Sequence, residues 1–256
     1  MMDDSVQILD HGYVKLIESW GSDERIIESA RMSTGKGFLG WGPTTCQDCL
    51  KEHPQVACKS CGGTGQKAGD EKLLRYLWEN KHATPFEFGG LVIEVQAPIF
   101  VFREWHRHRT QSYNEMSARY TPLPDLNYVP TVERLMINSK TNKQAGTATG
   151  ASELTREVAE HYREELLQQY EADEQFYQRS LVRGVPKELA RIHLPVGRYS
   201  KMRASTCLRN WLAFLTLRMA PGAQYEIRVY ANAVGDLIQQ NFPRTWELFA
   251  ESKGAS

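Results

Sequence analysis

The chain has 256 residues, 41% hydrophobic and 24% charged, a make-up that suits one sizeable globular domain or one domain with a small insert. Lys plus Arg and Asp plus Glu both number 31, so bulk charge argues against a nucleic-acid or membrane partner, and any anion site must come from local clustering. No apolar run reaches the length of a membrane span and MMDDSVQILD has no basic-then-apolar leader pattern, so a cytoplasmic location is expected.

Residues 5–20 read as a strand or two, through Val6, Ile8 and Tyr13–Ile17, ending at Gly21. Ser22 caps a helix whose first turn holds Asp23 and Glu24 and whose apolar residues are Ile26, Ile27 and Ala30. Between 35 and 70 lie eight glycines and no sustained apolar period, so the reading is one domain over 1–256 with an insert at 36–69. Asp70 caps the next helix, with Leu73, Leu74, Leu77 and Trp78 on its apolar face. His82-Ala-Thr84-Pro85-Phe86 ends that helix, because the residue before a proline is pushed out of helical geometry. A strand follows over Leu91–Gln96, and Pro98 opens a helix from Ile99 to Trp105.

Further along, Pro122, Pro124 and Pro130 break an extended segment, and 138–152 is small and polar like a loop. Ser152 is the expected cap of a long acidic helix running to about Leu181, with Leu154, Val158, Tyr162, Leu166 and Tyr170 at helical spacing. Pro186 starts a short helix carrying Arg191, and 198–205 reads as extended. Helices over Cys207–Met219 and Gly222–Asn241 follow, Pro243–Phe249 closes the chain, and no solenoid-length repeat is present.

Three sets of residues carry chemistry. The stretch Arg107–Tyr120 (RHRTQSYNEMSARY) packs Arg107, His108, Arg109 and Arg119 around Glu115, with Ser112, Asn114 and Ser117 between them. It is too poor in apolar residues to bury a face as an ordinary core helix or strand. Arginine forks and short hydroxyls suit a planar ligand bearing phosphate, whereas the plainer reading is a solvated charged loop. Arg218 shares a helical stripe with Trp211, Phe214 and Leu215, so it either meets a partner or ligand or snorkels near its helix C-terminus; Arg191 poses the same choice. Finally, Cys46-x2-Cys49 and Cys58-x2-Cys61-Gly-Gly form two knuckles whose four thiolates can close on a structural zinc ion. The alternative is a reduced or disulfide-linked loop. CKSCGGTG also resembles the zinc-binding repeats of DnaJ-type chaperones.

RHRTQSYNEMSARY matches the RHRxxSxNExSxRY signature of the flavin-dependent thymidylate synthases at every fixed position. HATPFE at 82–87, APIFVFREWHRHR at 97–109, GVPKELARIHLP at 184–195 and FLTLR at 214–218 resemble further family segments, so the likeness covers most of 5–250 outside the insert and the loop near 140. The resemblance implies an α/β fold of the α+β type, a central, mostly antiparallel sheet flanked by helices, and a homotetramer whose sites draw on several subunits. It implies methylation of dUMP to dTMP, with methylenetetrahydrofolate giving the carbon and FAD, reduced by NADPH, giving the hydride.

Carried over by position, Ser33, Thr84, Arg107, His108, Arg109, Glu115, Cys207, Leu208, Arg209 and Ala213 correspond to flavin contacts. Glu104, Trp105, His106 and Arg107, with Glu115, Met116, Ser117, Ala118, Arg119 and Arg191, correspond to the dUMP shell. Arg218 corresponds to the arginine that acts on the uracil ring, and His82 and Tyr120 to the folate side. Glu104, Cys207 and Ala213 depart from the residues expected of many members. Two rival readings are a nucleic-acid-binding zinc-knuckle protein and a flavin-binding homologue with impaired turnover.

Overall fold

A computed structural model of the chain describes residues 5–46, 48–49, 58–137 and 154–254. It divides into two compact units, each made of separate stretches of chain: Met1–Ile17, Val92–Ser205 and Phe214–Gly235 in the larger, Glu18–Leu91, Thr206–Ala213 and Asp236–Ser256 in the smaller. The architecture is α+β, as expected. A five-stranded sheet runs in the order Val6–Ile8, Gly12–Trp20, Gly90–Pro98, Tyr199–Cys207, Ser112–Glu115. Both outer pairings are antiparallel, in registers Val6↔Val14 and Tyr113↔Ala204.

The larger unit is organised on the central strand Gly90–Pro98. Ile93 and Val95 are fully buried, as their alternation predicts, but Gln96 on the opposite phase is buried too. Its side-chain amide donates to the His11 carbonyl, and its own carbonyl accepts from the Tyr230 hydroxyl at 2.8 Å, so the inward polar group is satisfied. Gly12 makes room for that contact, since a Cβ there would fall 1.9 Å from the Tyr230 hydroxyl. Ile227, Tyr230, Ala231 and Val234 supply the buried face of the helix Tyr225–Asn241 at i, i+3, i+4 and i+7.

The long acidic helix spans Arg156–Val182 and is capped by Thr155, whose hydroxyl accepts from Val158 N–H. The expected cap Ser152, like most of the polar loop at 138–152, lies outside the described residues. Ser112–Glu115 of the signature is a strand at the edge of the sheet, which sets aside the plainer reading of a solvated loop for these four residues. Ser112 and Asn114 are exposed and Tyr113 and Glu115 half-buried, which is how a polar segment can join a ladder without entering a core.

In the smaller unit Ser22 caps the helix Asp23–Arg31 by accepting from Arg25 N–H, and Ile26 and Ile27 are fully buried. Asp23 faces away from its own helix. Its carboxylate accepts from Arg244 N–H at 2.8 Å, from Thr245 N–H at 3.2 Å and from the Thr245 hydroxyl at 2.6 Å. It thereby satisfies the first turn of the helix Pro243–Gly254, where Pro243 has no N–H to donate. Asp70 departs from expectation in the same manner. It sits at the cap of Glu71–Glu79 but makes no side-chain cap bond. Its fully buried carboxylate instead accepts from Leu39 and Gly40 N–H and pairs with Arg31.

Candidate active site

The sequence feeds the signature through one short helix, Ile99–Trp105, entered at Pro98. Val101, Phe102 and Trp105 are its buried residues; the Trp105 ring stacks on Phe214 at 4.6 Å and its indole N–H donates to Gln111 at 3.0 Å. The turn that follows is tied by Tyr113, whose hydroxyl donates to the His108 carbonyl at 2.7 Å and the Trp105 carbonyl at 3.2 Å. Burial pushes the Tyr113 phenol well above its ordinary range, so it stays a donor. Pairing of Ser112–Glu115 with the strand Tyr199–Cys207 then fixes the direction in which Glu115 leaves the sheet.

A cavity of about 710 Å³ opens on this frame within the larger unit. The signature gives it Glu115, Met116, Ser117 and Ala118, and the segment after the long helix gives Arg191, Ile192 and Leu194. From the feeding helix come Ile99, Phe102, Arg103 and His106, at i, i+3, i+4 and i+7 of one face. Arg103 is a residue that sequence reasoning passed over, although its place one turn before His106 was the available signal. The lining pairs flat and aliphatic surface with two guanidiniums, a serine hydroxyl and the Glu115 carboxylate. Its size and mix suit a small anionic ring compound. His106 is held by near-parallel stacking on Phe102, an edge contact with Tyr113 and its Nε2 at 3.2 Å from the Met202 sulfur.

Behind this face lies a second cluster. Arg218 donates from Nε to His108 Nε2 at 2.9 Å, from Nη1 to the Glu104 carboxylate at 2.8 Å and from Nη2 to the Glu104 carbonyl at 3.0 Å. Snorkelling is thus not what the structure shows. Three of the five guanidinium hydrogens hold the side chain in place, leaving two for another acceptor. Burial, with the Arg218 charge, holds the His108 imidazole down at about 4, so at neutral pH it is uncharged and its Nε2 can accept. The Glu104 carboxyl is pushed above its ordinary range by burial, while Arg218 pulls it the other way. The carboxylate that departed from expectation at 104 thus has an arginine partner.

The remaining sequence-chosen residues are placed as follows. Trp105 and Leu208 are fully buried, so neither side chain offers surface to a ligand. Arg107, Arg109 and Arg119 are exposed beside the cavity residues of the same signature, and Tyr120 is exposed with the Arg119 guanidinium 5.7 Å from its ring. In the smaller unit Ser33, Thr84, His82 and Ala213 are exposed, Arg209 pairs with Glu87, and Cys207 is half-buried. For a flavin dinucleotide the exposed Arg107 and Arg109 of the larger unit fit by their chemistry, since guanidiniums suit a diphosphate. Cys46, Cys49, Cys58 and Cys61 come together in the smaller unit, each sulfur within 4.8 Å of the others.

An α+β chain with an arginine-lined nucleotide-sized cavity and a clamped arginine behind it has the form of an enzyme acting on a small anionic substrate. The comparisons specify which. The model of the family described as thymidylate synthase complementing protein matches residues 15–244. The flavin-dependent thymidylate synthase of Wolbachia pipientis wMel is 33% identical over 245 residues, covering 96% of this chain and 76% of that one. That of Rickettsia prowazekii (strain Madrid E) is 34% identical over 263 residues, covering 98% and 80%. Among solved structures, the UMP/dUMP methylase PolB from Streptomyces cacaoi bound with 5-Br dUMP superposes with a TM-score of 0.72 at 28% identity, covering 96% of this chain and 97% of that one. The chain belongs to the flavin-dependent thymidylate synthase family.

Proposed function

We propose that this protein methylates dUMP to dTMP, with methylenetetrahydrofolate as carbon donor, FAD as cofactor and NADPH as reductant. The observation that carries the reading is the cavity itself, which joins the signature residues Glu115–Ala118 to Arg191 within one unit. Arg191, Arg103 and the Ser117 hydroxyl are the donors suited to the nucleotide phosphate, and the half-buried His106 ring offers flat surface to the base. In the larger unit the exposed Arg107 and Arg109 are groups suited to the flavin diphosphate, and the exposed Tyr120 ring suits the folate side; in the smaller unit Ser33, Thr84 and His82 are exposed. When bound, the flavin supplies the hydride that completes the methyl group.

This chain's residues then have one difficult task, making C5 of uracil a carbon nucleophile. Arg218, aimed by Glu104 and His108, has hydrogens left to meet the N3 edge of the ring and favour its anion, each unit of pKa shift being worth ~1.4 kcal/mol. Arginine suits this because it stays charged and presents a planar fork. The signature contains no cysteine, so no thiolate from it can add to C6. We further propose a homotetramer. Ile192 and Val196 line the cavity yet are 80% and 58% exposed, as residues would be that a second copy covers.

The test is an anaerobic assay with purified protein. dTMP should form only when dUMP, methylenetetrahydrofolate, FAD and NADPH are all present. A colourless protein that binds single-stranded RNA in a salt-dependent way and makes no dTMP would sink the proposal in favour of the nucleic-acid reading.

A further inference from the structure

Among the described residues of the glycine-rich insert Cys46 is the one fully buried side chain, so packing does little to hold them together. The insert's strands among the described residues are two residues long, Thr44–Thr45 paired with Gln66–Lys67, and a ladder that short is not stable in water by itself. The ladder nevertheless delivers the two CxxC turns to one place. Cys46 N–H donates to the Gly65 carbonyl at 2.8 Å, at the end of the strand pair. Each turn closes in the same way: Cys49 N–H donates to the Cys46 carbonyl at 3.0 Å, and Cys61 and Gly62 N–H donate to the Cys58 carbonyl at 3.3 and 2.7 Å. The positive φ of 63° at Gly62 and 84° at Gly63 is what lets the second turn leave its knuckle.

From this geometry we infer that Cys46, Cys49, Cys58 and Cys61 bind one zinc ion as a closed, structural tetrathiolate site. Zinc with Zn–S bonds of about 2.3 Å sets neighbouring sulfurs about 3.8 Å apart at the corners of a tetrahedron. The separations are 3.8 Å for Cys46 to Cys58 and 3.4 Å for Cys49 to Cys61, with all four sulfurs inside 4.8 Å of one another. A disulfide would need one of those pairs at about 2.05 Å. Four thiolates fill the tetrahedron, so no position is open for a substrate and the ion has no part in the methylation. Its role is to cross-link the insert where packing cannot.

The insert is tied at its base to the unit around it. Asp70 N–H donates to the Gly40 carbonyl at 2.8 Å, and the Asp70 carboxylate accepts from Leu39 and Gly40 while pairing with Arg31. Ordering the thiolate end therefore also restrains the segment that returns to Arg31.

The full-length protein, purified reduced from zinc-supplemented cells without an affinity tag that binds metal, tests this. Elemental analysis should find one zinc per chain. Thiol titration of the native protein should find Cys207 reactive and the other four protected until a chelator is added. Cobalt exchange should give sulfur-to-cobalt charge-transfer absorbance of tetrahedral thiolate type, a readout independent of turnover. The double variant Cys49→Ser, Cys61→Ser should lose the zinc while keeping its bound-flavin spectrum; were that variant insoluble, the cobalt spectrum of the unmodified chain decides. Zinc far below one per chain, iron in its place, or a Cys46–Cys58 or Cys49–Cys61 disulfide in the reduced preparation would each overturn the inference.

Discussion

Arg218 shows how far a single residue's role depends on its neighbours. A guanidinium free to rotate would lose its aim; bonded to Glu104 and His108 it is pre-oriented. Replacing Arg218 with Ala should lower dTMP turnover about a hundredfold or more, the cost of removing a donor that meets developing charge, while the flavin spectrum persists. Glu104→Gln keeps an acceptor toward Arg218 and should lose about tenfold at most, whereas Glu104→Ala should lose more; steady-state kcat with bound flavin measured in parallel separates aim from folding. His108 gives a pH prediction. Its folded value near 4 lies below the ordinary 6.5, so between those values the unfolded chain takes up the proton more readily. This contribution therefore makes stability fall as pH drops from about 6.5 to about 4, and His108→Gln should flatten that part of a urea-unfolding series.

Among the elements, the helices are held by groups that sequence-local rules assign elsewhere. Asp23 stands in the first turn of its own helix, where a carboxylate is favoured anyway, but it accepts three hydrogen bonds from Arg244 and Thr245. Asp23→Ala would strand those donors in a buried place, and a loss of ~2 kcal/mol or more is expected, read as a fall of several degrees in Tm. Asp70 repeats the pattern, exchanging its local cap for Leu39, Gly40 and Arg31. The signature's edge strand is a third case. Its residues forbid burial, yet its backbone pairs with Tyr199–Cys207, and it is that pairing which aims Glu115 at the cavity.

At the scale of the whole molecule, each unit is assembled from three stretches of chain, so neither can be excised as a contiguous piece. The long helix Arg156–Val182 buries only Ala159, Tyr177 and Ser180, leaving Val158, Leu167 and Phe176 about half exposed. With Ile192 and Val196 these are the apolar surfaces that the proposed homotetramer would cover. Ile192→Asp should shift the protein to a smaller assembly in light scattering and lower turnover with it. An unchanged mass with unchanged turnover would remove Ile192 from the interface. No helix among the described residues is long and apolar enough to cross a membrane.

The signature, the helices at 23–31 and 71–79, the strand through Ile93 and Val95, and the two CxxC turns were legible in the sequence because each rests on local rules: capping, period, proline and cysteine spacing. Glu115, Ser117 and Arg191 were legible as residue types matched to chemistry. What the residues alone left open was whether Arg218 snorkels or meets a partner, that Asp23 and Asp70 serve other segments, and that Arg103 faces the cavity. Those outcomes depend on contacts between positions tens to hundreds of residues apart, and a carboxylate or guanidinium carries the same charge wherever it stands. Which partner it meets is set only when the chain has folded and brought one within hydrogen-bond reach.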